Sequence, residues 1–286
     1  MTSLVHRRRA GASELSRGHP LLVRVGQGGW FVKGVVYLLA GSLAIVVVAR
    51  SYGSDLVSGP AQEASPTGAI KEVADLGGGR LLLLVLAVGL LLYALWRIVT
   101  ALLPGGTDAE ALATRIGYLV SAVLYGTFSL TAISLARHPA QQADGNQKVT
   151  DISARLLEST PGRFALGAAG VIAVGAGVYR TVKGLRGDVT QELDLGGMSP
   201  TRITLTKRLA MFGEIGRGIA IGLIGVFLVR AAVYVNAQEA TGLDGALRRM
   251  TRVAWGRALV AVIAVGFFLY GLFCIETFNR RKLQAP

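Results

Sequence analysis

The chain has 286 residues, 52% of them hydrophobic and only 16% charged. Its mean hydropathy is +0.51, beyond the balance of an ordinary soluble domain, so it reads as an integral membrane protein. Thirty Lys and Arg oppose 17 Asp and Glu, a formal charge of +13, and most of these charges lie between apolar runs, where they flank the lipid phase. One cysteine, Cys274, and three histidines outside the apolar runs (His6, His19, His138) exclude an internal disulfide, a multi-cysteine zinc site and an intramembrane bis-histidine haem. No cofactor or metal is expected.

About 20 apolar residues carry a helix across a hydrocarbon core about 30 Å thick, and six runs reach that length, at 30–49, 80–103, 115–136, 163–183, 215–235 and 257–277. They are rich in Leu, Ala, Val and Gly without two-residue alternation, so they predict helices rather than barrel strands. All eight prolines fall in tails or connections, so nothing forces a kink. Counting Lys and Arg on the two sets of loops gives 16 on the side of the termini and 11 on the other, which predicts cytoplasmic termini. The basic N-tail and the length of the first span indicate a retained signal anchor rather than a cleaved signal peptide.

The second, fourth and sixth runs each start with Gly-Arg: Gly79-Arg80, Gly162-Arg163 and Gly256-Arg257. Nine residues after the arginine stand Gly89 and Gly266, thirteen after it Tyr93 and Tyr270, fourteen after it Ala94, Gly177 and Gly271, and sixteen after it Trp96, Tyr179 and Phe273. Gly68-Ala69-Ile70 and Gly245-Ala246-Leu247 precede two of them at one spacing. The odd runs agree more weakly. Gly29-Trp30, Gly117-Tyr118 and Gly216-Arg217 are read as equivalent, and Tyr37 pairs with Tyr125. The chain is thus three copies of a helix–loop–helix unit. Each copy crosses the membrane twice, so the copies are parallel and related by rotation about the membrane normal.

The expected organisation is a basic cytoplasmic tail (1–24), repeat 1 (25–104), repeat 2 (105–187), a cytoplasmic linker with an amphipathic segment at 201–212 (188–212), repeat 3 (213–279) and a basic tail (280–286). The external connections are polar, and segments such as 69–76 and 243–253 are expected to lie along the membrane surface. Taken together, the Gly-Arg starts, the Gly-Ala-hydrophobe lead-in, the aromatic helix ends and the three tandem units resemble the bacterial family called domain of unknown function 1206, from about Val25 to Thr277. The resemblance implies a six-span inner-membrane protein with tandem repeats. It carries no established activity and no catalytic residues. Repeat 2 departs most from the pattern, with Ile172 and Ala176 where the others have Gly and Tyr.

No G-x-S-x-G, P-loop, H-E-x-x-H or cysteine-pair pattern occurs, and Gly77-Gly78-Gly79-Arg80 lacks the Lys-Ser/Thr ending and preceding strand of a phosphate loop. The chain is therefore expected not to be an enzyme. Lys33, Glu214, Arg217, Arg230 and Glu276 fall near the ends of the apolar runs, where side chains are expected to snorkel. A proton-coupled transporter with unwound helices is accordingly disfavoured.

Three sets of residues remain as candidate sites. Arg80, Arg163 and Arg257 oppose the helix macrodipole, so they serve either as interfacial anchors or, with the helix N–H groups, as sites for anionic lipid. Tyr37, Tyr93, Tyr125 and Tyr270 are interhelical clamps or the lining of a ligand cavity. The small residues Ala165, Ala169, Ala173, Gly177, Gly218 and Gly222 allow close helix approach, inside the bundle or onto a partner. The basic tail at 6–9 and linker residues Arg202, Lys207 and Arg208 suit anionic headgroups. Nucleic-acid binding lacks aromatic platforms or a groove-reading motif. The leading expectation is a non-enzymatic accessory or scaffold subunit of a larger bacterial inner-membrane complex, linked to envelope lipids, with membrane lipids and another integral membrane protein as partners. The alternative is a lipid-binding or small-solute transport protein.

Overall fold

The structure, a computed structural model, describes residues 20–51, 79–102, 109–138, 145–187, 189, 193–194 and 196–280. The expected surface segment at 69–76 and both basic tails (6–9 and 281–286) lie outside the described residues. Among the described residues eight α-helices follow in order: α1 Pro20–Ser51, α2 Gly79–Leu102, α3 Ala109–Arg137, α4 Gly145–Leu157, α5 Thr160–Arg186, α6 Pro200–Tyr234, α7 Leu243–Met250 and α8 Ala254–Thr277. Six of them, all but α4 and α7, are long and apolar enough to span a membrane, so the protein is an all-α, multi-pass membrane protein.

Local chemistry sets the helix ends. Pro20 and Pro200 open α1 and α6, and Pro161 stands in the first turn of α5, where a missing N–H is harmless and the fixed φ suits a helix. Ser159 and Ser199 cap α5 and α6, each accepting a bond from a first-turn N–H, Gly162 and Arg202 respectively. Gly187 ends α5 at φ 75°, a left-handed conformation that glycine adopts without a Cβ clash.

Two spans extend well before their apolar runs. Helix α1 begins at Pro20 rather than near residue 30, and α6 at Pro200 rather than near 215. The segment read as an amphipathic linker at 201–212 is the first third of one 35-residue helix, about 52 Å long at the usual rise. Hydropathy marks only where a helix is apolar all round. A helix that turns polar side chains toward other helices continues past that limit without a signal in the averaged sequence.

The six spans pack in a cyclic order. The second helix of each repeat lies along the first helix of the next: α2 on α3, α5 on α6, and α8 back onto α1. The small residues fourteen places after each Gly-Arg arginine serve these three seams. A Cβ on Gly271 of α8 would come within 2.6 Å of the Leu38 backbone, and one on Gly177 of α5 within 2.6 Å of the Gly218 carbonyl. Ala94 of α2 is buried, as is Ala122 of α3. Within repeats, α1 packs on α2 and α6 on α8, but α3 and α5 hardly touch. Five of the six seams of a cyclic helix order are therefore made, and the sixth, within repeat 2, is not.

The short helices α4 and α7 lie just before α5 and α8, and α7 falls within the segment 243–253. They also explain the Gly of Gly-Arg. The carbonyls of Leu156 and Met250, at the ends of α4 and α7, press against Gly162 and Gly256 so closely that any side chain there would collide. Outward faces of α2, α3 and α5 expose Leu81, Val85, Val123, Phe164 and Val171, an apolar girdle that suits lipid rather than water.

Candidate functional site

The four tyrosines singled out in the sequence come together at the centre of the ring. The Tyr37 and Tyr270 ring centroids are 4.9 Å apart and those of Tyr93 and Tyr125 4.7 Å, both edge to face. Trp30 joins them, 6.2 Å from Tyr93 and 6.3 Å from Tyr270, its indole N–H donating to Thr277 Oγ1 at 3.3 Å.

Two cations sit among these rings. Lys33 Nζ donates to the Tyr93 hydroxyl at 3.2 Å and stands 4.5 Å from the Trp30 ring, 5.1 Å from Tyr93, 5.2 Å from Tyr125 and 5.3 Å from Tyr270. The Arg217 guanidinium carbon is 4.0 Å from the Tyr270 ring and 5.2 Å from Tyr37. Its Nη1 donates to Glu214 Oε1 at 2.6 Å, and Arg180 Nη1 of α5 donates to the other oxygen of the same carboxylate at 2.9 Å. Buried Arg217 Nε has no hydrogen-bond acceptor among the described residues. Arg97 completes the set, donating from Nε to the Tyr93 hydroxyl at 2.9 Å and lying 4.8 Å from the Tyr118 ring.

Lys33, Glu214 and Arg217 are only 3%, 5% and 7% exposed, which corrects the expectation that they snorkel from span ends. Because α1 and α6 start early, Lys33 lies more than three turns inside its helix and Arg217 near the middle of its own. A charge placed inside a membrane span costs about 2.5–3.5 kcal/mol on insertion scales. Contact with aromatic faces returns up to about 2 kcal/mol where water is absent. The Tyr93 hydroxyl accepts from Lys33 and the Glu214 carboxylate from Arg217 and Arg180.

The packing also revises the repeat register. Gly29 meets the backbone of Tyr93 and Gly213 meets that of Tyr270, with hypothetical Cβ approaches to the tyrosine Cα of 2.8 and 2.9 Å. Gly213, not Gly216, is thus the counterpart of Gly29. Counting from these glycines, Lys33 corresponds to Arg217 and to Ser121 in repeat 2, while Trp30 corresponds to Tyr118 and Glu214. The cation pair is a repeated feature that a three-residue offset hides. Lysine and arginine at matching places in corrected repeats, beside the tyrosines, were the available signal.

The other candidate residues fall elsewhere. Arg163 donates from Nε to the Ala232 carbonyl at 2.8 Å and from Nη2 to the Val233 carbonyl at 3.2 Å, satisfying the exposed C-terminal carbonyls of α6. This accounts for an arginine at a helix start without an anionic lipid. Arg80 is exposed and Arg257 half-buried. Of the small residues, Gly177 meets Gly218 and Gly222 across the α5–α6 seam, whereas Ala173 is half-buried and Ala165 and Ala169 face outward. The face of α5 that packs is instead Gly170, Gly177 and Gly184. Arg202 pairs with Glu276 at 3.0 Å, and Lys207 and Arg208 are exposed on the first turns of α6. Among the described residues no group of His, Cys, Asp and Glu could hold a metal ion.

The family model described as Domain of Unknown Function (DUF1206) matches three segments, 28–103, 116–187 and 212–276, one for each repeat. The chain is similar to "Uncharacterized protein YxxB" of Bacillus subtilis (strain 168), with 29% identity over 259 residues that cover 90% of each chain. No solved structure matches. The three matched segments start one residue before Gly29, Gly117 and Gly213, in agreement with the register given by the packing, and on this threefold match the chain belongs to the DUF1206 family.

Proposed function

We propose that this protein is a membrane-embedded binding protein that takes an anionic group into its helix ring, serving lipid handling or small-solute movement rather than catalysis. One observation carries this reading: Lys33 and Arg217, equivalent in two repeats, are both buried against the Tyr270 ring, at 5.3 and 4.0 Å. Aromatic contacts and one carboxylate are a costly way to keep two cations from water if packing is the only aim, since apolar residues of similar volume do as well or better. Buried cations in a span are the usual mark of a site for the opposite charge. The bacterial inner membrane with cytoplasmic termini is the proposed location, supported by the 16 to 11 division of basic residues.

A second reading, an accessory subunit bound to another integral membrane protein, is favoured by the open seam. There α3 and α5 turn apolar faces outward, and a Cβ added at Gly117, Gly126 or Gly175 would meet nothing within 4 Å among the described residues. Purification from native membranes in mild detergent, followed by mass spectrometry of protein and lipid, separates the two. The binding reading expects one anionic lipid or solute at about molar ratio, depleted by Lys33→Met. A stoichiometric protein partner with unchanged lipid content in the variant would replace it with the accessory reading.

A further inference from the structure

The repeats disagree at one position of the site. Where repeat 1 has Trp30 and repeat 2 has Tyr118, repeat 3 has Glu214. In the first two, that aromatic ring is the seat of a cation: Lys33 Nζ lies 4.5 Å from Trp30, and the Arg97 guanidinium 4.8 Å from Tyr118. In repeat 3 a carboxylate thus takes the place that an aromatic ring holds in the other two. Arg217 already has two tyrosine faces, yet Glu214 is also there, gripped at 2.6 Å by Arg217 and at 2.9 Å by Arg180.

The geometry around that carboxylate is a two-oxygen, two-guanidinium clamp. Each oxygen of Glu214 accepts from a different arginine, one on its own helix and one on α5. Planar guanidinium forks of this kind suit the oxygens of phosphate as well as those of carboxylate. The clamp also has an inside and an outside. The Arg217 side chain is 8% exposed and faces the tyrosines, whereas the Arg180 side chain is 33% exposed and stands on α5, a helix that borders the open seam. Arg217 Nε, buried and without an acceptor among the described residues, leaves one further donor inside.

We propose that Glu214 is an internal anion that occupies the clamp when no ligand is bound, and that the ligand is a phosphate-type oxyanion that competes with this carboxylate for Arg180 and Arg217. The proposal rests on the reading that the ring binds an anion and adds which chemistry is recognised and which residue opposes it. Glu214 lies on the same helix as Arg217, three residues away, so its side chain can leave the clamp by its own torsions without moving the helices. The phosphate belongs either to a lipid headgroup entering sideways between α3 and α5 or to a soluble ion.

The test uses the full-length protein in phosphatidylcholine nanodiscs, with two arms. Tryptophan fluorescence follows titration with inorganic phosphate, reported by buried Trp30 beside Lys33. Native mass spectrometry counts phosphatidylglycerol retained from discs containing it. Removing the competitor by Glu214→Gln is expected to raise affinity in the responding arm by about tenfold, the scale of one charged contact, while Arg180→Gln lowers it. Glu214→Asp, which draws the carboxylate back by one methylene, is expected to raise affinity by a smaller factor, and it decides the matter if Glu214→Gln does not fold.

A response to phosphate identifies a soluble ligand, and retention of phosphatidylglycerol alone identifies a headgroup; the Glu214 gain is required in either arm. Binding that is unchanged or weaker in the Glu214 variants overturns the competition and leaves the anion-binding reading standing. Absence of binding in both arms for every variant, Glu214→Gln included, overturns that reading itself.

Discussion

Repeats 1 and 3 pack their own two helices together, and repeat 2 does not. At the place where α2 and α8 carry Gly89 and Gly266, α5 carries Ile172. Gly89 lies against Val32 of α1, too close for any side chain, and a Cβ on Gly266 would stand 2.6 Å from the Cα of Gly216 on α6. Ile172 is 71% exposed and meets no such partner. Four residues further on, Tyr93 and Tyr270 are buried in the centre, while Ala176 is exposed. The cations follow the same division, Lys33 and Arg217 against Ser121. One unit repeated three times has thus been divided into two copies that supply a buried cation at the matching position and one whose own two helices stay apart. Substitutions at only three equivalent positions mark the change, because in lipid close helix approach depends on small residues rather than on a general hydrophobic drive.

The largest test of this division removes the cation in one repeat and its counterpart in another. Arg217→Met removes the closer of the two arginines paired with buried Glu214 and leaves Arg180. Breaking a buried ion pair from one side costs about 3–5 kcal/mol, so thermal melting in detergent is expected to fall sharply. Ser121→Ala removes only a hydroxyl that donates to the Gly117 carbonyl of its own helix at 2.8 Å and is expected to leave the melting temperature where it was. Equal effects from the two variants would remove the distinction between a charged and an uncharged repeat.

A smaller effect is expected at the seams. Gly266→Val pushes methyl groups into the Gly216 backbone, and overpacking of this kind costs about 1–3 kcal/mol. The reverse change, Ile172→Gly, is expected to cost no more than about 1 kcal/mol, from backbone entropy alone, because no neighbour is lost. If Ile172→Gly instead lowers stability as much as Gly266→Val, residue 172 is packed in the native protein and the seam in repeat 2 is closed.

The sequence shows the six spans and the threefold repeat because both are written in many residues at once: apolar runs of spanning length, and Gly-Arg with a glycine, a tyrosine and an aromatic at fixed distances. The tyrosines belonged to that pattern and proved to share one centre. Lys33 and Arg217 were legible as residues but not as a site. Each stands at the N-terminal edge of an apolar run, and hydropathy gives the same signal for a side chain that snorkels outward and for one turned into a ring of aromatics. The early start of α6 is set by Ser199 with Pro200, a cap signal that lies outside the apolar window. The three-residue offset in repeat 3 had a related cause, since Gly213 and Gly216 both stand close to a charged residue and only the Tyr270 contact tells them apart. In the same way, Ile172 and Ala176 were visible as departures from the repeat, yet their effect on packing required the positions of the neighbouring helices.

The Gly-Arg arginines give the smallest test, and they compare a closed seam with lipid directly. Arg163 of α5 reaches across to the last carbonyls of α6, the first helix of the following repeat. Those carbonyls lack intrahelical donors, and a guanidinium bonded to them holds α5 and α6 at one level while also complementing the negative end of the α6 dipole. Arg163→Gln is expected to lower stability by about 1 kcal/mol, below the usual range of about 1.5–3 kcal/mol for bonds to a charged donor because the side chain is open to solvent. Arg80 is exposed, and Arg80→Gln is expected to stay within about 0.5 kcal/mol, as for most surface changes. Lipid content supplies the second readout: a structural tie at Arg163 predicts unchanged anionic lipid in the purified protein despite the lower melting temperature. Loss of one lipid per molecule with unchanged melting would instead make the Arg163 helix start a headgroup site and would leave the α6 carbonyls to find another donor.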